Sequence, residues 1–356
     1  MPEPARCPEV VVVTPAAGGH GGISAVIELY ETLGIVDALN IRIVNTFSNH
    51  AWRKPLVLAR ALMELIGTML TKPARVVHIN TAADNSFRRK TLFWAIAKLF
   101  GRKVVWQIHS GEFTAFAQQH GWAARVLTWS DSIAVLSSAA RNELVRLMPR
   151  SAERIVVIPN PAPNAASLDL AKQSEPLRTA LYLGRLTEKK GIGELLHAWR
   201  KVIEILPGAE LTVGGSGETE RYRQLAQELG VDPFVHFVGW IDGAEKASFL
   251  KRSQVLLLPS HFEAMPVCIL EAFAWGCVVV ATPVGAIPEM LGDRQRGLLH
   301  PVGDAAALAA AITSLESSAT RIAFAQSARV YLEENYSAEV VREKLRSWYA
   351  DVAGAS

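Results

Sequence analysis

Two doubly wound α/β domains in tandem are the fold class this sequence predicts, and three observations carry it. Short apolar, β-branched runs recur along the chain, most of them followed by a stretch of helical pattern, which is the signature of a parallel sheet with helices on both faces. The recurrence breaks once, at Asn160–Pro176, a segment rich in Pro, Ala, Asn and Ser that reads as a linker, and then resumes. At 356 residues the chain is long enough for two separate cores.

In the first half the run Val10-Val11-Val12-Val13 has no polar interruption, so it is expected to be buried on both faces. Further strands are expected at Ile41–Asn45, Val76–Asn80, Val104–His109, Ser132–Leu136 and Ile155–Pro159. The second series is Thr179–Leu183, Glu210–Gly214, Val235–Val238, Val255–Pro259 and Val278–Thr282. Domains are therefore drawn at 1–165 and 176–335, with a terminal helical stretch over 336–356 whose Val341, Leu345, Trp348 and Tyr349 share one face. Ligands of such sheets bind beyond the C-terminal ends of the strands, so an interdomain cleft is the expected site.

Composition narrows the class. The chain is 50% hydrophobic and 20% charged, as soluble globular proteins are. Its net charge of +3 is unevenly held: residues 1–165 carry +7 and the remainder −4. A basic first half implies a negative partner there, whether phosphate, anionic lipid or nucleic acid. Cys7, Cys268 and Cys277 show neither metal-ligand spacing nor a disulfide framework. The N-terminal residues lack a signal peptide's apolar core, and no run has the length of a membrane span, so a cytoplasmic location is expected. Two segments leave alternatives open. Pro55–Lys72 reads as a core-facing helix or as one lying on a membrane surface. Arg88-Arg89-Lys90 reads as a solvated helix start or as a holder of phosphate or lipid headgroup.

Several loops carry chemistry. The first strand ends in Thr14–Ile23, with glycines at 18, 19, 21 and 22; strand, glycine loop and helix form either a phosphate cradle or a tight turn. The spacing is not GxGxxG, and the Lys-Ser/Thr of a P-loop is missing. His109 closes the strand Val104–Ile108, where it can orient a substrate hydroxyl or simply be structural. In the second half Gly184-Arg185-Leu186-Thr187-Glu188-Lys189-Lys190-Gly191 sets Arg185 and Lys190 about a βα loop suited to a diphosphate. Gly214-Gly215-Ser216-Gly217 is a second loop of close backbone approach. The strand Val255–Pro259 runs into Ser260–Glu271, where Pro266 is read as the first helical residue and Gly276 as the stop. Glu263 precedes that helix, Glu271 projects from it, and its N-terminal N–H groups between them suit an anion.

Together Gly184-Arg185 with Lys189-Lys190-Gly191, Gly214–Gly217, the Glu263/Glu271 pair and Gly285-Ala286-Ile287-Pro288-Glu289 are similar to the retaining nucleotide-sugar glycosyltransferases of the GT-B fold, family 4 above all. Gly21-Gly22, His109 and Pro159-Asn160-Pro161 extend the resemblance over nearly the whole chain. The chain departs from the family in an extra Gly-Gly-His within Gly18–Gly22 and in Gly285-Ala286 where Gly-Gly is frequent.

The resemblance implies a GT-B fold, with two Rossmann-like domains, and transfer of a hexose from a UDP- or GDP-sugar to a glycan acceptor, polyprenyl-diphosphate-linked or otherwise lipid-linked, in cell-surface polysaccharide synthesis. By the same likeness Arg185 and Lys190 hold the donor diphosphate, Glu263 contacts sugar hydroxyls, and Met265, Pro266 and Val267 present backbone groups. Glu271 takes the ribose. Gly184 and Gly215 line the nucleotide, and Trp240, in Val238-Gly239-Trp240, lies by the base. Gly21 and Gly22 approach the phosphates, and His109 touches the sugar or the acceptor hydroxyl. The terminal helix crosses back to the first domain. No Asp-x-Asp motif is present, so neither metal nor other cofactor is expected, and a fixed Arg, Lys and helix N-terminus would take the leaving charge. With Glu271 on the ribose, a paired-carboxylate nucleophile is disfavoured, and attack from the face the diphosphate leaves is expected instead. The partners implied are a nucleotide sugar, a glycan or lipid-linked acceptor and an anionic membrane surface reached by Arg88, Arg89 and Lys90, with no nucleic acid. Other readings are a GT-B enzyme with a soluble acceptor, a sugar-nucleotide epimerase, an inactive binding scaffold and, remotely, an NAD-dependent oxidoreductase.

Overall fold

The computed structural model describes residues 10–15, 21–46, 54–71, 74–164, 168–292 and 294–354. The chain divides into two compact units, one formed by Met1–Pro161 with Tyr336–Ser356 and the other by Ala162–Asn335.

In the first unit β1 (Val10–Thr14), β2 (Ile41–Asn45), β3 (Val76–Thr81), β4 (Lys103–Ile108), β5 (Ser132–Val135) and β6 (Ile155–Val157) form one parallel sheet of order β2-β1-β3-β4-β5-β6. Helices cover both faces, which is why Val10–Val13 is apolar at every position and wholly buried. Phe87, Trp106 and Phe113 fill the core, the Phe87 and Trp106 rings 4.6 Å apart. The strand order reverses between β1 and β3, the place where sheets of this kind open a crevice beyond their C-terminal ends. Thr14 and Asn80 stand at those ends.

The second unit contains β7 (Thr179–Leu183), β8 (Glu210–Gly214), β9 (Val235–Gly239), β10 (Val255–Leu258), β11 (Val278–Ala281) and β12 (Gly297–Leu299). Its sheet is also parallel, in the order β12-β11-β10-β7-β8-β9, and reverses between β7 and β10. The sequence reading stops at five strands here. β12 is only three residues long and begins on a glycine, too little for a periodic signal.

The helix Ala338–Ala353 packs in the first unit, with Val341, Leu345, Trp348 and Tyr349 buried. Trp348 Nε1 donates to Ser132 Oγ at 2.8 Å, and Tyr349 hydroxyl lies 2.7 Å from His78 Nδ1. Within Asn160–Pro176 the described residues around Gln173 are anchored in the second unit and are not a free linker. Buried Gln173 donates to Gln254 and Gly276 carbonyls at 2.8 Å each, and buried Arg321 donates to the Gln173 carbonyl at 2.8 Å. Its Pro, Ala and Ser content describes the backbone, not what a single Gln can anchor.

The helix Lys54–Thr71 turns Ala61, Leu65, Thr68 and Met69 into the core. Its outer face is apolar as well, with Leu56, Met63 and Leu70 between 67 and 71% exposed. No described helix is long and apolar enough to cross a membrane. Cys7, Gly18, Gly19, His20, Trp52, Arg53 and Lys72 lie outside the described residues.

Candidate active site

In the second unit three loops meet at the C-terminal ends of β7, β8 and β10. The Gly184-Arg185 loop leans on the Gly214–Gly217 loop through Gly184 N to Gly214 O at 3.0 Å and Leu186 N to Ser216 O at 2.9 Å. The approach is so close that a Cβ on Gly215 would stand 1.7 Å from the Gly184 carbonyl oxygen. Gly215 N also donates to Gly239 O at 2.7 Å, which brings the half-exposed Trp240 beside the same loop. The carbonyl of Arg185 accepts from the buried Tyr182 hydroxyl at 2.8 Å, while its side chain stands exposed.

The acid loop is built with equal care. Its helix is Val267–Ala274, and Pro266 is the extended residue that precedes it rather than its first residue. The helix closes as expected at Gly276, φ 68°, where Gly276 N and Cys277 N turn back to Phe273 O and Ala272 O. Met265 and Pro266 are buried, so they offer the loop backbone rather than side chains. Gly285, φ 57°, presses on this loop: a Cβ there would lie 2.2 Å from Glu263 O, and Ala286 N donates to Ala264 O at 2.8 Å. Gly191, φ 69°, packs as tightly on Pro259 O, 2.0 Å from the Cβ position.

Each acid holds a lysine. Lys190 Nζ lies 2.6 Å from Glu263 Oε1 and 3.2 Å from Phe262 O, and Ser260 Oγ donates to the same carboxylate oxygen at 2.8 Å. Lys246 Nζ lies 2.5 Å from Glu271 Oε1. Cys268 sits between the acids; burial, then the charges of Glu263 and Glu271, push its thiol far above the usual range, so it stays protonated. Among the described residues no cluster of three His, Cys, Asp or Glu side chains could hold a metal ion.

In the first unit Gly21 is extended and Gly22 opens the helix Gly22–Thr32. Neither adopts a left-handed angle, and a Cβ on either would meet nothing within 4 Å. These two glycines therefore leave open space at a helix N-terminus; they do not serve turn geometry. His109 follows β4, half-buried, its Nε2 3.0 Å from Asn80 Oδ1. Burial first, then His78 and Lys90, lower its proton affinity to about pKa 3.

The basic run is not the solvated patch its composition implies. Arg88 is exposed beside His120 and Arg89 is half-buried, but Lys90 is wholly buried and donates to the Asn80 carbonyl. Burial, then the neighbouring Arg89, pull the Lys90 ammonium down to about 7. It therefore cannot meet a lipid headgroup.

This arrangement has relatives. Residues 4–163 match the model described as Glycosyltransferase Family 4, and residues 178–318 match that of the glycosyl transferases group 1. The chain belongs to the family 4 glycosyltransferases. As a member it is 29% identical over 263 residues to a glycogen synthase of Mycobacterium tuberculosis, covering 69% of this chain and 63% of that one. It is 34% identical over 182 residues to a phosphatidyl-myo-inositol mannosyltransferase of Mycolicibacterium smegmatis, covering 50% and 46%. The matched stretches thus span about half to two thirds of those relatives. An Anabaena protein, HepE, solved in complex with UDP-glucose, superimposes with a TM-score of 0.75 at 16% identity over 96% of this chain and 99% of its own. The family 4 chain therefore has the GT-B fold.

Ser260, Lys246 and Asn80 are site neighbours that the sequence reading passes over. Ser260 lies within a stretch already marked by Glu263. Lys246 sits on an ordinary amphipathic helix and Asn80 lies next to the end of a strand, so neither carries a local signal.

Proposed function

We propose that this chain transfers a hexose from a UDP- or GDP-sugar to a glycan acceptor with retention of configuration and without a metal ion. The observation that supports this most is the Lys190–Glu263 pair, fixed where the glycine loops of β7 and β8 meet the acid loop after β10. It sets a cation for a leaving diphosphate against a carboxylate for sugar hydroxyls. Arg185, Lys190 and the N-terminus of Val267–Ala274 take the charge that develops on the departing diphosphate. Glu263 holds donor-sugar hydroxyls and Glu271 the ribose, with Gly184, Gly215 and Trp240 about the rest of the nucleotide. The acceptor oxygen bonds to the anomeric carbon on the face where the sugar–phosphate bond breaks, and its proton passes to the departing phosphate oxygen. The HepE complex with UDP-glucose supports the donor class.

A lipid-linked acceptor at the inner face of a cytoplasmic membrane is favoured by one further observation. The outer face of Lys54–Thr71 presents Leu56, Met63 and Leu70 at seven-residue intervals with Lys54 and Arg60 exposed among them. Such a face can lie on anionic lipid. A thermal-shift panel of nucleoside diphosphates and their sugars, followed by the anomeric configuration of the product, tests the reading. Stabilisation of about 2.7 kcal/mol is expected for a ligand at about 100 times its Kd. No shift with any UDP- or GDP-sugar, or an inverted product, overturns it.

A further inference from the structure

Asn80 is the penultimate residue of β3, wholly buried, and its polar groups each have a task. Its Nδ2 donates to Thr14 Oγ1 at 3.2 Å, across the point where the strand order reverses. Its backbone carbonyl accepts from the buried Lys90 ammonium. Its Oδ1 stands 3.0 Å from His109 Nε2. The His109 backbone is fixed too, its N–H donating to Thr81 O at 2.7 Å. An amide oxygen has no hydrogen to give, so the proton in the Asn80–His109 bond belongs to the imidazole.

We infer that Asn80 is a positioning residue that locks His109 in the Nε2–H tautomer, leaving Nδ1 as a fixed acceptor for one hydroxyl of the sugar or of the acceptor. Among the described residues Nδ1 has no hydrogen-bond partner. The groups facing the ring favour the neutral form: it is buried against His78, itself neutral and held by Tyr349, and near the Lys90 ammonium, with no carboxylate among the causes that shift it. A ring of such low basicity does not take the hydroxyl proton to completion. It can hold that oxygen in place without accepting its proton. The use of that hydroxyl rests on the transferase reading; the tautomer does not.

Imidazole nitrogen NMR of the full chain labelled with nitrogen-15 histidine tests the two separately, with His109→Gln assigning the signal. The expected pattern is Nε2-protonated and neutral, unchanged from about pH 8 to about pH 5. An Nδ1-protonated ring, or one that titrates in that range, overturns the inference. Asn80→Asp should bring the ring into titration near neutrality and impose on kcat an acid limb that the parent lacks. Asn80→Leu should spread the signal over both tautomers. If Asn80→Leu lowers thermal stability but leaves the imidazole pattern intact, Asn80 is merely structural and the inference fails. The expected tautomer in a protein that binds no nucleotide sugar would overturn only the transferase reading.

Discussion

Lys190 has two claims on it. In the structure it neutralises Glu263, whose side chain is 14% exposed; under the proposed function a donor diphosphate would compete for the same ammonium. Arg185→Ala, Lys190→Ala and Glu271→Ala should each lower turnover by about two or more orders of magnitude while circular dichroism keeps the parent's spectrum. Near-parental rates in two of the three would refute the site. Lys90 makes a different prediction. The unfolded chain holds protons on Lys90 up to about 10.5 and on His78 and His109 up to about 6.5, whereas folding lowers these to about 7, 3 and 3. The unfolded state therefore binds more protons at every pH between those limits, and stability should fall as pH falls. Urea midpoints should drop from about pH 10 to about pH 7, and Lys90→Met should flatten that slope without costing stability. The acids and glycine loops were legible because chemistry and spacing coincide in a few consecutive residues. Lys90 was not, since a run of three basic residues does not tell which one a helix turns inward.

At the scale of elements, the acid loop owes its shape to a glycine 22 positions further on. A Cβ on Gly285 would meet both Glu263 O and Ala264 O, and its φ of 57° is itself costly for any other residue. Gly285→Ala should cost roughly 1 kcal/mol or more in urea denaturation and weaken nucleotide-sugar binding beyond that, because Glu263 must shift. The helix Lys54–Thr71 gives the opposite case. Met63→Glu with Leu70→Glu touches only its outer face, so Tm should hold while flotation with anionic vesicles is lost; equal flotation would remove the membrane reading. Eleven of the twelve strands among the described residues were legible. β1, β10 and β11 were so because uninterrupted apolar runs need cover on both faces, and others such as Ile41–Asn45 and Val235–Gly239 as short apolar stretches with polar interruptions. The outward apolar stripe was harder, since periodicity shows that a helix is apolar but not which of two apolar faces meets the core.

For the whole molecule, the second unit is an insertion in the first: the chain leaves after Pro161 and returns at Tyr336. Truncation before Tyr336 should remove the cover of Val341, Leu345, Trp348 and Tyr349, strip partners from His78 and Ser132, and lose the first unit's thermal transition while the second keeps its own. A single transition of parental size in the truncated chain would contradict this. The two-domain plan could be read because the alternation of strands and helices pauses once and restarts. That the break falls at 161 and not at 165 could not, since anchorage by Gln173 and Arg321 depends on residues about 150 positions apart.

The returning helix also orders the protein's birth. A ribosome delivers residues 162 to 335 before it delivers Trp348, so the six strands begun first wait longest for their last wall. During that interval the second unit can finish while the first stays open along the side that Tyr349 will close, and the contact between Tyr349 and His78 forms only once this helix is delivered.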